Sequence, residues 1–280
     1  MSIAYLFPGQ GSQHLGMGEE LFSKFPSLVN EANSVLGYPV DELCTIGPEE
    51  KLGQTQFTQP ALYLVSYLAG LSNLETGPKP IMAAGHSVGE FAALAIAEAF
   101  SFSDGLRMVS VRGQIMSKVS GGGMAAVIGL DNKSISSILS ENNLKGIDLA
   151  NFNSPGQIVI SGPAEEVVAS IEVLKESGAR MVVPLKVSGA FHSRMMKEPA
   201  GEFASFLEDF SFKTPIFPVF SNVQASAYSN AEQIKSLLVE QMYSSVLWSE
   251  SVQNMKSAGA DEFLECGPGK VLTKLLRQIP

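Results

Sequence analysis

Residues 80–99 read PIMAAGHSVGEFAALAIAEA, an apolar run too short for a helix followed at once by a long alanine-rich one. The pattern predicts a buried strand over 80–85, one sharp turn, and a helix from about Val88 to Ala99. A strand-to-helix turn this tight leaves no room for side chains beside it, which explains the glycines that open and close GHSVG. Ser87 then projects outward, facing the free N–H groups and positive dipole end of the new helix. The pentapeptide alone recurs by chance. With a strand before it and a helix after it, Ser87 reads as a nucleophile rather than a capping serine.

Such a turn needs a sheet to rest on, and the rest of the chain supplies one. IAYLF (3–7) is a short buried strand feeding the loop PGQGSQ. Helical patterns run from Met17 to Leu36 and from Gln59 to about Leu74. The order implies an α/β architecture with a parallel sheet buried on both faces. Past the GGG at 121–123, read as a flexible hinge, the pattern changes. MAAVIGL is a strand, 132–142 a helix with Asp131 as its cap, and IDLANFN and QIVISG flank a hairpin turn at SPG. A helix over 163–178 and the strand RMVVPLKVS (180–188) complete the order βαββαβ of a ferredoxin-like unit. We therefore expect a large subdomain, 1–122 with 192–280, and an inserted small one, 123–191. The larger part resumes with the strand-like IFPVFSNV (216–223), a helix near 231–243 and the strand EFLECG (262–267).

Composition excludes some functions. A formal net charge of −9 over 280 residues argues against nucleic acid, whose phosphates need surplus Lys and Arg. No apolar stretch approaches the roughly 20 residues of a spanning helix, and MSIAYLFPGQGSQ lacks the features of a secretory signal. Cys44 and Cys266 lie far apart and read as free thiols, so a cytoplasmic protein is expected. Three scattered histidines give no metal-ligand spacing.

A nucleophilic serine needs a base, and only His14, His86 and His192 are available. His86 adjoins Ser87 and points elsewhere at such a turn, which leaves it a packing or hydrogen-bonding role. His192, in SGAFHSRMM, follows a strand and a glycine, where loops commonly carry chemistry, and is preferred to His14. No carboxylate stands out to orient it. In the helical stretch 103–119, opened by Ser103 or Asp104, Arg112 has Met108, Val109, Ile115 and Met116 at helical spacing, so it lies on the core-facing stripe. Arg107 is the exposed one. A buried guanidinium must meet an anion. Either Glu90 supplies a structural ion pair, or a substrate carboxylate occupies the fork.

Together FPGQGSQ, GHSVGE, VRGQIM, NFNSPGQIVISG, GAFHS, QMYSSVLWSESV and ECGPGKVL resemble, in this order, the malonyl-CoA:acyl carrier protein transacylases. The likeness runs from about residue 3 to 277. It implies an α/β-hydrolase-like large subdomain with a ferredoxin-like small one. Ser87 is similar to that family's nucleophile and His192 to its base. The N–H groups of Gln10 and Val88 resemble the oxyanion hole, Arg112 the ligand of the malonyl carboxylate, and the backbone carbonyl of Gln241 the group that orients the histidine. Phe191 and Val88 resemble the malonyl-type pattern rather than the methylmalonyl-type one, with the ring of Phe191 leaving little room for an α-methyl.

The resemblance implies ping-pong transfer from malonyl-CoA to the phosphopantetheine thiol of an acyl carrier protein, by a monomer with no bound cofactor. The chain starts near the first strand and stops soon after GPGKVL, so a discrete protein is expected, feeding a fatty acid synthase or acting in trans for a polyketide synthase. VLGYPVDELC and GAFHSRMM lean toward the second. Carrier proteins are acidic, so docking on a −9 chain calls for a local basic patch, with Lys186, Arg194, Lys197 and Lys270 as candidates. Two rivals remain: a serine thioesterase clearing acyl chains from carrier proteins, which has no use for a carboxylate anchor, and a catalytically idle scaffold.

Overall fold

Two four-stranded sheets organise the chain. The computed structural model describes residues 2–187 and 189–280. The first sheet is built from β1 (Ile3–Phe7) and β2 (Met82–Gly85), later joined by β7 (Val219–Phe220) and β8 (Glu262–Glu265) in the order β7-β2-β1-β8. Every pairing in it is parallel. All five residues of β1 and all four of β2 are buried, as a sheet covered on both faces requires. The helices Thr55–Thr76, Gly89–Ile96 and Phe102–Lys118 pack into the larger core with Tyr5, Phe7 and Ala83. Ala4, Leu6, Met82 and Ala84, on the opposite face, pack with Trp248, Val252 and Leu272.

The second sheet comprises β3 (Gly122–Ile128), β4 (Asp148–Ser154), β5 (Gln157–Pro163) and β6 (Met181–Pro184), antiparallel throughout in the order β4-β5-β3-β6. With the helices Asn132–Glu141 and Ala164–Glu176 between its strands, this is a ferredoxin-like βαββαβ unit. Asp131 caps the first of these helices, its side chain accepting from the N–H of Ser134. Residues of the other face, among them Met124, Ala126 and Val159, turn toward the larger sheet.

Several elements differ from expectation. The helix expected over 17–36 is two, Glu19–Lys24 and Pro26–Leu36, because Pro26 restarts the chain at a first-turn position and holds Phe25 out of helical geometry. The long apolar helix begins at Thr55 rather than near Gln59, with Pro60 accommodated inside it. The helix carrying Arg112 is capped by Ser101, whose hydroxyl accepts from Asp104 N–H, and not by Ser103 or Asp104. The strand expected over 216–223 shrinks to Val219–Phe220, since Pro215 and Pro218 have no N–H for the ladder. The strand expected over 180–188 ends at Pro184, and residue 188 of that span lies outside the described residues. The GGG is not a hinge. Gly122 and Gly123 open β3, and a Cβ on Gly122 would stand 2.3 Å from the backbone N of Ala190.

Candidate active site

The turn after β2 places Ser87 at φ 53°, left-handed backbone that a non-glycine residue adopts only where its surroundings over-determine it. A Cβ on Gly85 would lie 2.0 Å from the carbonyl carbon of Gly89, and one on Gly89 2.1 Å from the carbonyl oxygen of Phe7. Both glycines of the motif are therefore sterically obligatory. The N–H of Ser87 donates to Asn222 Oδ1 at 2.7 Å, and Asn222 Nδ2 donates to the Gly85 carbonyl at 2.6 Å. A side chain just beyond β7 thus pins both ends of the turn.

His192 reaches the serine from the loop after the second sheet, also at a positive φ of 57°. Its Nε2 lies 2.8 Å from Ser87 Oγ, and its Nδ1 lies 2.7 Å from the carbonyl oxygen of Gln241. A carbonyl only accepts, so Nδ1 carries the proton and Nε2 offers its lone pair to the serine hydroxyl. The backbone N–H of His192 donates to Met242 O at 3.0 Å, so ring and main chain rest on the same turn. That turn follows the helix Ala231–Glu240, whose negative dipole end favours an imidazolium as it forms. Burial, and then the positive charge of Arg112, push the His192 pKa down from 6.5 to about 3, so the resting ring is neutral.

Arg112 is 1% exposed. Its Nη1 donates to Gln59 Oε1 at 2.7 Å, and its Nη2 donates to Gln241 Oε1 at 2.9 Å and to Ser87 Oγ at 3.3 Å. Among the described residues its Nε has no hydrogen-bond partner. Desolvation lowers its pKa to about 10, which leaves it cationic at neutral pH. Glu90 is fully buried but forms no direct ion pair with it. Among the described residues no ion pair includes Arg112. The amide of Gln241 stands between them, its Nε2 donating to Glu90 Oε2 at 2.7 Å.

Ser87, His192, Arg112 and Gln59 line a cavity of about 240 Å³ between the two sheets. Its polar end holds Ser87, His192 and Arg112; its walls include Met116, Met124, Val159 and Phe191. Gln10 and Val88 both line it, and among the described residues neither backbone N–H donates to a protein acceptor. Ser87 N–H is already engaged, so among the described residues the free donors that follow it in sequence begin with Val88. His86 bridges the turn to the second sheet through Nε2 and Asn153 Oδ1 at 2.9 Å, and its ring packs on Trp248. His14 lies away from this cavity, with Nδ1 3.2 Å from Ser12 O. Among the described residues no cluster of three or more His, Cys, Asp or Glu is placed to hold a metal, and no helix is long and apolar enough to cross a membrane.

Sequence reasoning missed Gln59, Asn222 and the side chain of Gln241. Gln59 carried a weak signal, as an amide opening an apolar helical run. Asn222 and the Gln241 amide carried none, because each becomes buried only through tertiary contacts.

The geometry agrees with comparisons to known proteins. The pattern of the acyl transferase domain matches residues 4–279. The chain is 48% identical, over 99% of its length, to the polyketide biosynthesis protein ThaF of Burkholderia thailandensis, of which it spans only 24%. It is 46% identical over 99% of its length to the polyketide biosynthesis malonyl CoA-acyl carrier protein transacylase PksC of Bacillus subtilis, spanning 96% of that protein. The crystal structure of a malonyl CoA-acyl carrier protein transacylase from Burkholderia pseudomallei superposes with a TM-score of 0.96 at 40% identity, covering 100% of this chain and 98% of that one. With the family pattern matched over nearly the whole length and relatives of 40% identity or more covered almost end to end, the chain belongs to the acyl transferase domain family.

Proposed function

We propose that the chain transfers the malonyl group from malonyl-CoA to the phosphopantetheine thiol of an acyl carrier protein, through an ester on Ser87. One observation carries the reading: the buried guanidinium of Arg112 touches the serine hydroxyl, with Nη2 3.3 Å from Oγ. A thioester carbonyl held for attack by Ser87 leaves a β-carboxylate close to that cation. A simple acyl chain has nothing to offer it.

In the first half-reaction the Ser87 proton passes to Nε2 of His192 as Oγ bonds to the thioester carbon. The oxyanion develops toward the N–H groups of Val88 and Gln10, preorganised donors that need not reorient. The C–S bond then breaks and the proton on Nε2 passes to the coenzyme A sulfur. In the second half the phosphopantetheine thiol gives its proton to Nε2 of His192 as its sulfur bonds to the ester carbon; the C–Oγ bond then breaks and that proton returns to Ser87 Oγ. The neutral resting state of His192 suits it as the base in both. Phe191, 5% exposed at the cavity wall, restricts the α-carbon of the acyl group.

Arg194 is spoken for by Asp148, to which it donates through Nε and Nη2. Lys186, Lys197 and Lys270, all exposed, are the remaining candidates for the basic charge that meets the carrier protein. The names of the relatives support a place in polyketide synthesis, as the supplier of extender units; supply to fatty acid synthesis is the alternative. A cytoplasmic location fits two buried, unpaired cysteines. The division into 1–122 with 192–280 and 123–191 fits a second sheet lying within Gly122–Pro184.

Intact-protein mass spectrometry after brief mixing with malonyl-CoA or acetyl-CoA tests the reading. The expected result is a malonyl adduct on Ser87 in the wild type, lost in Arg112→Ala. Fast acetylation with no dependence on Arg112 would move the protein to the thioesterase class.

A further inference from the structure

The mechanism above leaves one buried carboxyl unused. Glu90 sits three residues after the nucleophile, with 0% exposure, in the first turn of the helix Gly89–Ile96. Its two oxygens accept three hydrogen bonds: from the hydroxyl of Tyr228, from the N–H of Asn222 at 3.1 Å, and from Nε2 of Gln241 at 2.7 Å. Each donor lies in the supporting structure of the site. Asn222 holds the N–H of Ser87. Gln241 donates from the same Nε2 to the Ser87 carbonyl at 3.1 Å, accepts from Arg112 at its Oε1, and carries the carbonyl that faces His192.

An amide has two ends of opposite character, and Arg112 tolerates only one of them. With Oε1 toward the guanidinium, Gln241 accepts. With the amide flipped, its NH₂ would meet a cation that only donates, at 2.9 Å. Something must hold the amide the right way round. On its other side stand two acceptors, the Ser87 carbonyl and Glu90, and Glu90 Oε2 is the nearer.

We propose that Glu90 is a positioning residue for selection of the acyl carboxylate, acting through Gln241: it fixes the amide so that Oε1 holds Arg112 against Ser87. The proposal rests on the reading of Arg112 as the carboxylate anchor. The required property is an acceptor at the position of Oε2, not a full negative charge. Burial raises the Glu90 pKa to about 7, and a carboxylic acid with its proton toward Tyr228 still accepts at Oε2. Glutamine satisfies the same demand, with its oxygen at Oε2 and its NH₂ toward the tyrosine oxygen. Leucine does not.

The test is the ratio of malonyl to acetyl loading on Ser87, as kcat/KM for each thioester, in the full-length protein. Glu90→Leu should lower that ratio by roughly tenfold or more, as expected when a buried polar partner is removed. Glu90→Gln should keep it near wild type. Gln241→Leu, which retains the backbone carbonyl facing His192, should reproduce the Glu90→Leu loss, and the double variant should add nothing to either. Should Glu90→Leu not fold, Gln241→Leu decides alone: an unchanged ratio there overturns the proposal. So does an equal fall in both rates, the mark of a scaffold role. If Glu90→Leu keeps the wild-type ratio while Arg112→Ala loses it, the positioning role is wrong and the anchor stands. If Arg112→Ala itself keeps the ratio, the anchor reading fails and this proposal fails with it.

Discussion

Arg112 and Ser87 share a direct contact, Nη2 to Oγ at 3.3 Å, so the fixed cation of the cavity touches the hydroxyl proposed to carry the acyl group. The same guanidinium is braced on both flanks by glutamine oxygens, Gln59 and Gln241. Two donors on different nitrogens meet two acceptors, one on the helix Thr55–Thr76 and one on the turn after the helix Ala231–Glu240. A lysine ammonium has the charge without the planar fork. Arg112→Lys should therefore fold better than Arg112→Ala and still lose about tenfold to a hundredfold in kcat/KM for malonyl-CoA, with acetyl-CoA changing little. Steady-state kinetics with the two thioesters check this.

The pH dependence of acylation follows from His192. Its pKa lies near 3, so the neutral base is fully present above about pH 5. The acylation rate should run flat from about pH 5 to 8, with no inflection at the ordinary histidine value of about 6.5. Arg112 is the second cause of that depression. A bound acyl carboxylate offsets its charge, so the acid limb of kcat should lie at higher pH than that of kcat/KM. Stopped-flow acylation across pH measures both.

Glu90 ties the stability of the fold to pH. Its folded pKa, about 7, stands above the ordinary 4.5, so the folded protein holds the proton that the unfolded chain releases. Its stabilising share is complete below about pH 4.5 and is lost as pH rises through about 7. Glu90→Gln has no such proton to lose. Its stability relative to wild type should grow across that window, by on the order of 1–3 kcal/mol, and level off above it. Denaturant titrations at several pH values give the difference.

The turn itself admits no side chain. Gly89→Ala would force a methyl to within 2.1 Å of the Phe7 carbonyl oxygen, a backbone atom of a buried strand. We expect destabilisation of about 3 kcal/mol or more, above the usual cost of overpacking. A melting temperature within a degree or two of wild type would show that the strand yields.

Phe191 tests the shape of the cavity independently of its charge. Phe191→Ala should admit methylmalonyl-CoA, raising its loading rate at least several-fold while Arg112 still holds the carboxylate. Equal loading of both thioesters by the wild type would remove Phe191 as the gate.

Carrier-protein docking should depend on exposed charge. Lys270→Glu should raise the KM for the carrier protein several-fold, more at low salt than at high, because the interaction is screened. Hydrolysis of the malonyl-enzyme should not change.

Much of this protein is determined locally. A strand of five buried residues, a turn that only glycine permits on either side of Ser87, and a helix with apolar neighbours all around Arg112 are set by steric and periodic rules within a few residues. Those rules are legible in the chain. They predicted both sheets and set Ser87 and Arg112 apart before any contact was known. What oriented the base was not legible, for a simple reason. The group facing His192 is a backbone carbonyl, and every residue has one. The partner of Arg112 was equally hidden: of the two alternatives open in the sequence, a direct pair with Glu90 gives way to an amide set between them, from a residue 129 positions away. A buried polar group is matched by whatever acceptor the packing brings to it, and only the tertiary structure decides which one that is.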